Sequence, residues 1–120
     1  MWAACATGLE AVAWRSTDGG VSFKPLWIPG CCANTLRLGA ASADVALAAR
    51  NAAGRGPLRT TDGGATWRQL RTPGSSIDWF WIGFADARVG SALVQTRPTG
   101  PFALWRTTNG GATWFSIPLR

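Results

Sequence analysis

Short apolar runs, each broken within a few residues by glycine, proline, serine or aspartate, follow one another along the chain. Ala11-Val12-Ala13-Trp14-Arg15, Pro57-Leu58-Arg59 and Ala103-Leu104-Trp105-Arg106 each lead into a polar, glycine-bearing segment and read as strands entering hairpins. Long helices are not expected. The best helical candidate, Ala40 to Ala49, is alanine-rich, but its Asp44-Val45-Ala46-Leu47-Ala48-Ala49 stretch stands where a later unit has Arg88-Val89-Gly90-Ser91-Ala92-Leu93, and it reads as a strand.

The segment after each incoming strand is nearly the same three times: Ser16-Thr17-Asp18-Gly19-Gly20-Val21-Ser22-Phe23, Thr60-Thr61-Asp62-Gly63-Gly64-Ala65-Thr66-Trp67 and Thr107-Thr108-Asn109-Gly110-Gly111-Ala112-Thr113-Trp114. The closing aromatics recur at a period of about 45 residues, the size of one four-stranded unit in repeat architectures. Asp18, Asp62 or Asn109 can accept hydrogen bonds from amides just ahead, and the glycines supply the positive φ of a tight hairpin. The aromatic opens the outgoing strand and anchors the hairpin to a core.

These residues resemble the bacterial neuraminidase repeat, or Asp-box, of the form Ser/Thr-x-Asp-x-Gly-x-x-Trp/Phe. The matching positions are Ser16, Asp18, Gly20 and Phe23, then Thr60, Asp62, Gly64 and Trp67, then Thr107, Asn109, Gly111 and Trp114. Asn109 replaces Asp in the last copy and Phe23 replaces Trp in the first. The wording is most similar to photosystem assembly-factor-like and exo-sialidase-like repeats. The resemblance implies an all-β, partial β-propeller whose box hairpins join the third and fourth strands of each antiparallel blade. By resemblance alone, an extracytoplasmic location is favoured.

Laid over one another, the repeats form a single partial propeller over 1–120, with units 1–30, 31–74 and 75–120 divided at Pro29-Gly30 and Pro73-Gly74. Strands are expected near Thr35 to Ala40, Val45 to Arg50, Pro57 to Thr60 and Thr66 to Arg71 in the second unit. In the third they fall near Asp78 to Phe84, Val89 to Thr96, Phe102 to Thr107 and Thr113 to Ile117. The first unit keeps only Trp2 to Ala6, Ala11 to Ser16 and Ser22 to Leu26, so it lacks the innermost strand. Propellers close with about four to eight blades. Three units imply either part of a longer propeller or self-association that completes a ring.

Composition agrees with one β domain: 47% apolar residues with 15 glycines and 7 prolines suit short strands and tight turns. The net charge of +6 could mark an acidic partner. Arg15, Arg59 and Arg106 share one slot before each box and read as structural, stems on aromatics and heads on turn carbonyls. The other arginines are scattered, without a basic run or a standard nucleic-acid motif, so no nucleic-acid role is read. Of the 8 tryptophans, Trp14, Trp67, Trp105 and Trp114 read as core. Trp79 and Trp81, on the expected innermost strand, read as core or as a stacking surface for sugar. With Arg37, Arg50, Arg88 and Arg97 they form the candidate binding surface.

The chain has 0 histidines and 0 tyrosines, which excludes His-based triads and the tyrosine nucleophile of sialidases. Outside the boxes the carboxylates are Glu10, Asp44, Asp78 and Asp86. Asp44 and Asp86 align with each other as turn residues, leaving Glu10 and Asp78 as a poor catalytic pair. Cys5, Cys31 and Cys32 lack zinc-ligand spacing, and core thiols are favoured over a bridge from Cys5 to one of the others. Cofactor and metal are therefore not expected. Met1-Trp2-Ala3-Ala4-Cys5 does not read as a secretory signal, and no stretch is long enough to span a membrane. The expected function is a non-catalytic scaffold that binds another polypeptide, with an acidic partner favoured and a glycan second. The alternative is a fragment of a carbohydrate-active propeller whose catalytic residues lie outside this chain.

Overall fold

The computed structural model describes residues 1–7, 10–26, 36–50, 57–70, 78–95 and 102–118. Every regular element among them is a strand: β1 (Trp2–Thr7), β2 (Glu10–Arg15), β3 (Lys24–Leu26), β4 (Leu36–Ala40), β5 (Ala46–Arg50), β6 (Leu58–Thr60), β7 (Arg68–Gln69), β8 (Asp78–Phe84), β9 (Gly90–Gln95), β10 (Phe102–Thr107) and β11 (Phe115–Ile117). They form three antiparallel meanders, β1-β2-β3, β4-β5-β6-β7 and β8-β9-β10-β11. β7 and β11 start later than the sequence suggests, because Thr66 and Thr113 bond back into their turns instead of extending the strands. Both Pro-Gly pairs, Trp27, Cys31, Cys32, Arg55, Arg71, Arg97 and Arg120 lie outside the described residues.

The middle sheet explains the alanine-rich strand. Ala46, Leu47, Ala48 and Ala49 of β5 are all buried, since both faces of this sheet are covered. Leu47 and Ala49 join Trp79, Ile82, Ala92, Val94, Trp105 and Trp114 in a core against the third sheet. Ala48 joins Ala13 and Leu58 in a smaller core against the first, with Leu26, Leu38 and Trp67 packed around it. Alanine favours helix when isolated. Here its small side chain is what lets two sheets approach one strand.

Trp79 holds the larger core together. It meets Trp105 edge to face at 5.4 Å and Trp114 at 5.6 Å, and such pairs add to the apolar area they bury. Its strand carries a bulge: Trp79 faces Val94 and Trp81 faces Leu93, leaving Phe80 without a partner of its own. The extra residue breaks the two-residue alternation. Trp79 and Ile82 therefore share the buried face, while Trp81 turns to the opposite, open face.

The middle and third sheets meet closely where Gly39 of β4 lies against Ile82. A Cβ at Gly39 would stand 2.4 Å from Ile82 Cγ2, so glycine is required by proximity. Gly39→Ala is expected to cost about 1 to 3 kcal/mol through overpacking. Combined with Ile82→Ala, it should cost less than the sum of the two single changes. Thermal melts of the four proteins in this cycle check the contact, and strict additivity would contradict it.

Candidate binding surface

Each repeated turn is closed by a buried hydroxyl. Ser16, Thr60 and Thr107 are 3%, 1% and 0% exposed, and their oxygens accept from the amides of Gly20, Gly64 and Gly111 at 2.8, 2.9 and 3.0 Å. The same hydroxyls donate to Oδ1 of Asp18, Asp62 and Asn109, which in turn accepts from the amides of Ser22, Thr66 and Thr113. Both glycines of each turn have φ between 72° and 94°, a region where a Cβ would be strained. Trp67 and Trp114 lock the far side by donating Nε1–H to the carbonyls of Gly64 and Gly111. Phe23 has no such donor and stays partly exposed.

The two aspartates are held as anions. Asp62 is lowered to about 2, first by the Thr66 hydroxyl, then by the Thr66 amide and the Thr60 hydroxyl. Asp18 is lowered still further by Ser22 and Ser16 in the same arrangement. At Asn109 the polarity of one bond reverses, with Nδ2 donating to Thr113 Oγ1 at 2.7 Å. The third turn therefore has the same shape without the charge.

The arginines that precede the turns act on the next sheet rather than their own. Arg15 donates to Ala43 O at 3.0 Å and to Asp44 Oδ1 at 2.8 Å, with its guanidinium above Trp2 and over Gly63 of the second turn. Arg59 donates Nε–H to Gly110 O of the third turn at 3.1 Å. Burial lowers the Arg59 pKa from its ordinary value. Beside each arm runs a small cleft between sheets. One, of about 120 Å³, is lined by Arg15, Thr17, Ser22, Lys24, Leu26 and Gly63. The other, of about 200 Å³, is lined by Arg59, Thr61, Thr66, Arg68, Gln69, Leu70 and Ala112. They are the same site in successive repeats, each with two cations, two hydroxyls and no carboxylate in its lining.

Comparison with known proteins settles the architecture. No protein-family profile matches the chain, and no curated protein is similar to it. Among 8 solved chains that do match is YCF48, a β-propeller, in a structure described as YCF48 bound to D1 peptide. The TM-score is 0.56 at 18% identity, over 96% of this chain and 43% of that one. The chain is a partial β-propeller. It spans less than half the length of that solved propeller.

Within the propeller the sequence candidates do not converge. Trp79 is 3% exposed in the core between two blades, whereas Trp81 is 52% exposed on the open face of the third blade. Arg37 is exposed toward the end of β4 remote from the β4–β5 turn, and Arg88 is exposed in the β8–β9 turn beside the third repeated turn. Arg50 ends β5, without a described side chain, and Arg97 lies outside the described residues. The alignment of Asp44 with Asp86 is corrected. Asp86 Oδ1 caps the amides of Arg88 and Val89, a task that Ser42 Oγ performs for Asp44 and Val45, so Asp86 matches Ser42 and Asp44 matches Arg88. The reading of Arg106 as bonded to a turn is also corrected: its backbone pairs with Ser91 and Phe115, but its side chain is exposed and bonds to no described residue. The paired clefts escaped the sequence reading. Their one signal was a cation just after the aromatic, Lys24 and Arg68, in two of the three repeats.

The charge pattern of the turns gives the blades an acid-sensitive share of stability. Asp18 and Asp62 have lower pKa values folded than unfolded, so their contribution is complete above the ordinary value of 3.8 and fades as pH falls through about 2. Asp62→Asn, which copies the third turn, should flatten the fall in melting temperature on acidification. Asn109→Asp should steepen it. Melts from neutral pH to about 2 compare them, and identical profiles for all three proteins would refute this role.

Proposed function

We propose that this chain is a segment of an Asp-box propeller, with blades in residues 1–30, 31–74 and 75–120, that binds an acidic stretch of another polypeptide along its turn-bearing rim and performs no chemistry itself. The observation that carries this reading is a pair of like-charged cross-strand contacts. Arg15 lies opposite Lys24 and Arg59 opposite Arg68 in the strand register. Like charges directly opposite one another weaken a sheet. Two such pairs, at equivalent places beside equivalent clefts, are better explained by an anionic ligand than by folding. Arg88 extends the same rim. The hydroxyls of Thr17, Ser22, Thr61 and Thr66 supply neutral partners for a peptide backbone. A solved propeller of the same fold carries a bound peptide, which supports a polypeptide partner.

Fluorescence anisotropy tests the reading directly. A labelled peptide rich in Asp and Glu should bind, its Asn and Gln counterpart should not, and the affinity should fall as salt rises. Arg68→Ala should weaken binding about tenfold, since buried arginine contacts dominate such interfaces. Its melting temperature should hold or rise slightly, because the like-charged pair with Arg59 is relieved. Equal binding of both peptides would overturn the proposal, as would selective glycan binding that disappears in Trp81→Ala.

A further inference from the structure

The third repeated turn carries a chemistry that the other two lack. Asp18 and Asp62 are held as anions, and a carboxylate is a poor electrophile. Asn109 puts a neutral carboxamide in the same place and is followed by Gly110. Asparagine is a thermally labile side chain. The lability is greatest before glycine, because no side chain shields the next backbone nitrogen from the carboxamide carbon. Asn109 is exposed, so water has access to it.

Both reacting groups are tied down in the folded chain. The buried Gly110 donates its N–H to Arg88 O at 2.8 Å, and its carbonyl accepts from Arg59 Nε of the second blade at 3.1 Å. On the side chain, Asn109 Oδ1 accepts from the Thr107 hydroxyl at 2.9 Å and from the Thr113 amide at 3.0 Å, while Nδ2 donates to Thr113 Oγ1 at 2.7 Å. For the Gly110 nitrogen to reach Asn109 Cγ it must lose its proton and leave Arg88, and the carboxamide must leave Thr113. The reaction therefore waits for local opening of the turn.

We infer that Asn109-Gly110 is a self-modification site, latched by Arg59, at which deamidation converts the third turn into an Asp-bearing turn like the other two. The Gly110 nitrogen gives its proton to solvent and bonds to Asn109 Cγ, the Cγ–Nδ2 bond breaks, and Nδ2 takes up a proton and leaves as ammonia. Water then opens the cyclic imide. Breaking its bond from nitrogen to Cγ gives an aspartyl residue, and breaking the bond from nitrogen to the backbone carbonyl carbon gives an isoaspartyl residue. The aspartyl product fits the turn, since Asp62 accepts from the hydroxyls of Thr60 and Thr66 and from the Thr66 amide in the same arrangement. The isoaspartyl product routes the main chain through the side-chain methylene and cannot keep the Thr107 bond to the Gly111 amide. Closure of the turn thus retains the aspartyl form. The inference is independent of the acidic-peptide reading.

The full chain, aged at mildly alkaline pH, is digested with trypsin, and the fragment 107–120 is followed by mass spectrometry beside the same segment made as a free peptide. Deamidation in the chain should be at least about tenfold slower than in the peptide, and Arg59→Ala should speed it about tenfold by removing a charge-assisted bond from the closed turn. Aged chains that stay folded, recovered after brief proteolysis, should carry mainly the aspartyl form and melt like Asn109→Asp. Equal rates in chain and peptide would overturn the inference, as would an unchanged rate in a folded Arg59→Ala or a folded fraction rich in isoaspartyl. If Arg59→Ala does not fold, Thr113→Val, which removes the acceptor of Nδ2 at an exposed position, decides instead: a faster rate supports the latch and an unchanged one overturns it.

Discussion

The buried hydroxyl at each repeated turn is the contact on which the rest of the molecule depends. Ser16, Thr60 and Thr107 each face the glycine amide two residues beyond their Asx partner, in surroundings with almost no water, where an unbonded hydroxyl or amide would be costly. Satisfying them fixes the hairpin and its two left-handed glycines. The hairpin then sets where the aromatic leaves the turn. In the second and third blades that aromatic is a tryptophan whose indole N–H bonds back to the turn, so ring and loop are held as one unit.

A blade fixed in this way is still only a sheet with two apolar faces. The middle blade buries both of them and needs alanine and glycine at β4 and β5 to do so. The same demand for close approach shapes the tryptophan cluster around Trp79 on one side and the smaller Ala13, Ala48 and Leu58 cluster on the other. The arginine arms add polar ties between blades. Arg15 is partly exposed, so its ion pair with Asp44 contributes little by itself, and its value lies in seating the guanidinium over the next turn.

The positive charge of the chain thereby divides into two populations. Arg15 and Arg59 are spent in part on the neighbouring blade, while Lys24, Arg68 and Arg88 stand exposed at the same end of the sheets. The turns themselves add negative charge at Asp18 and Asp62 and none at Asn109. The rim is therefore graded rather than uniform. Its cation-rich clefts belong to the first two blades, and the third replaces the corresponding cation by Phe115, opposite Arg106.

Much of this architecture was legible in the chain because it is local. The limits of β8 and β10 follow from apolar runs bounded by turn residues, and the repeat register identified a strand near Val45 to Arg50, observed as Ala46–Arg50, against the helical preference of alanine. The turn geometry follows from the order of hydroxyl, Asx and two glycines. The candidate site was much less legible. Trp79 and Trp81 are two residues apart and would share a face in a regular strand, yet the bulge at Phe80 buries one and exposes the other. The destination of Arg59 lies 51 residues away on another blade. Sequence fixes choices made within a few residues, such as strand, turn and handedness of φ. Which face a side chain takes, and which neighbour it meets, is decided by how the sheets pack through space, and that packing alone brought the cations of successive repeats to one rim.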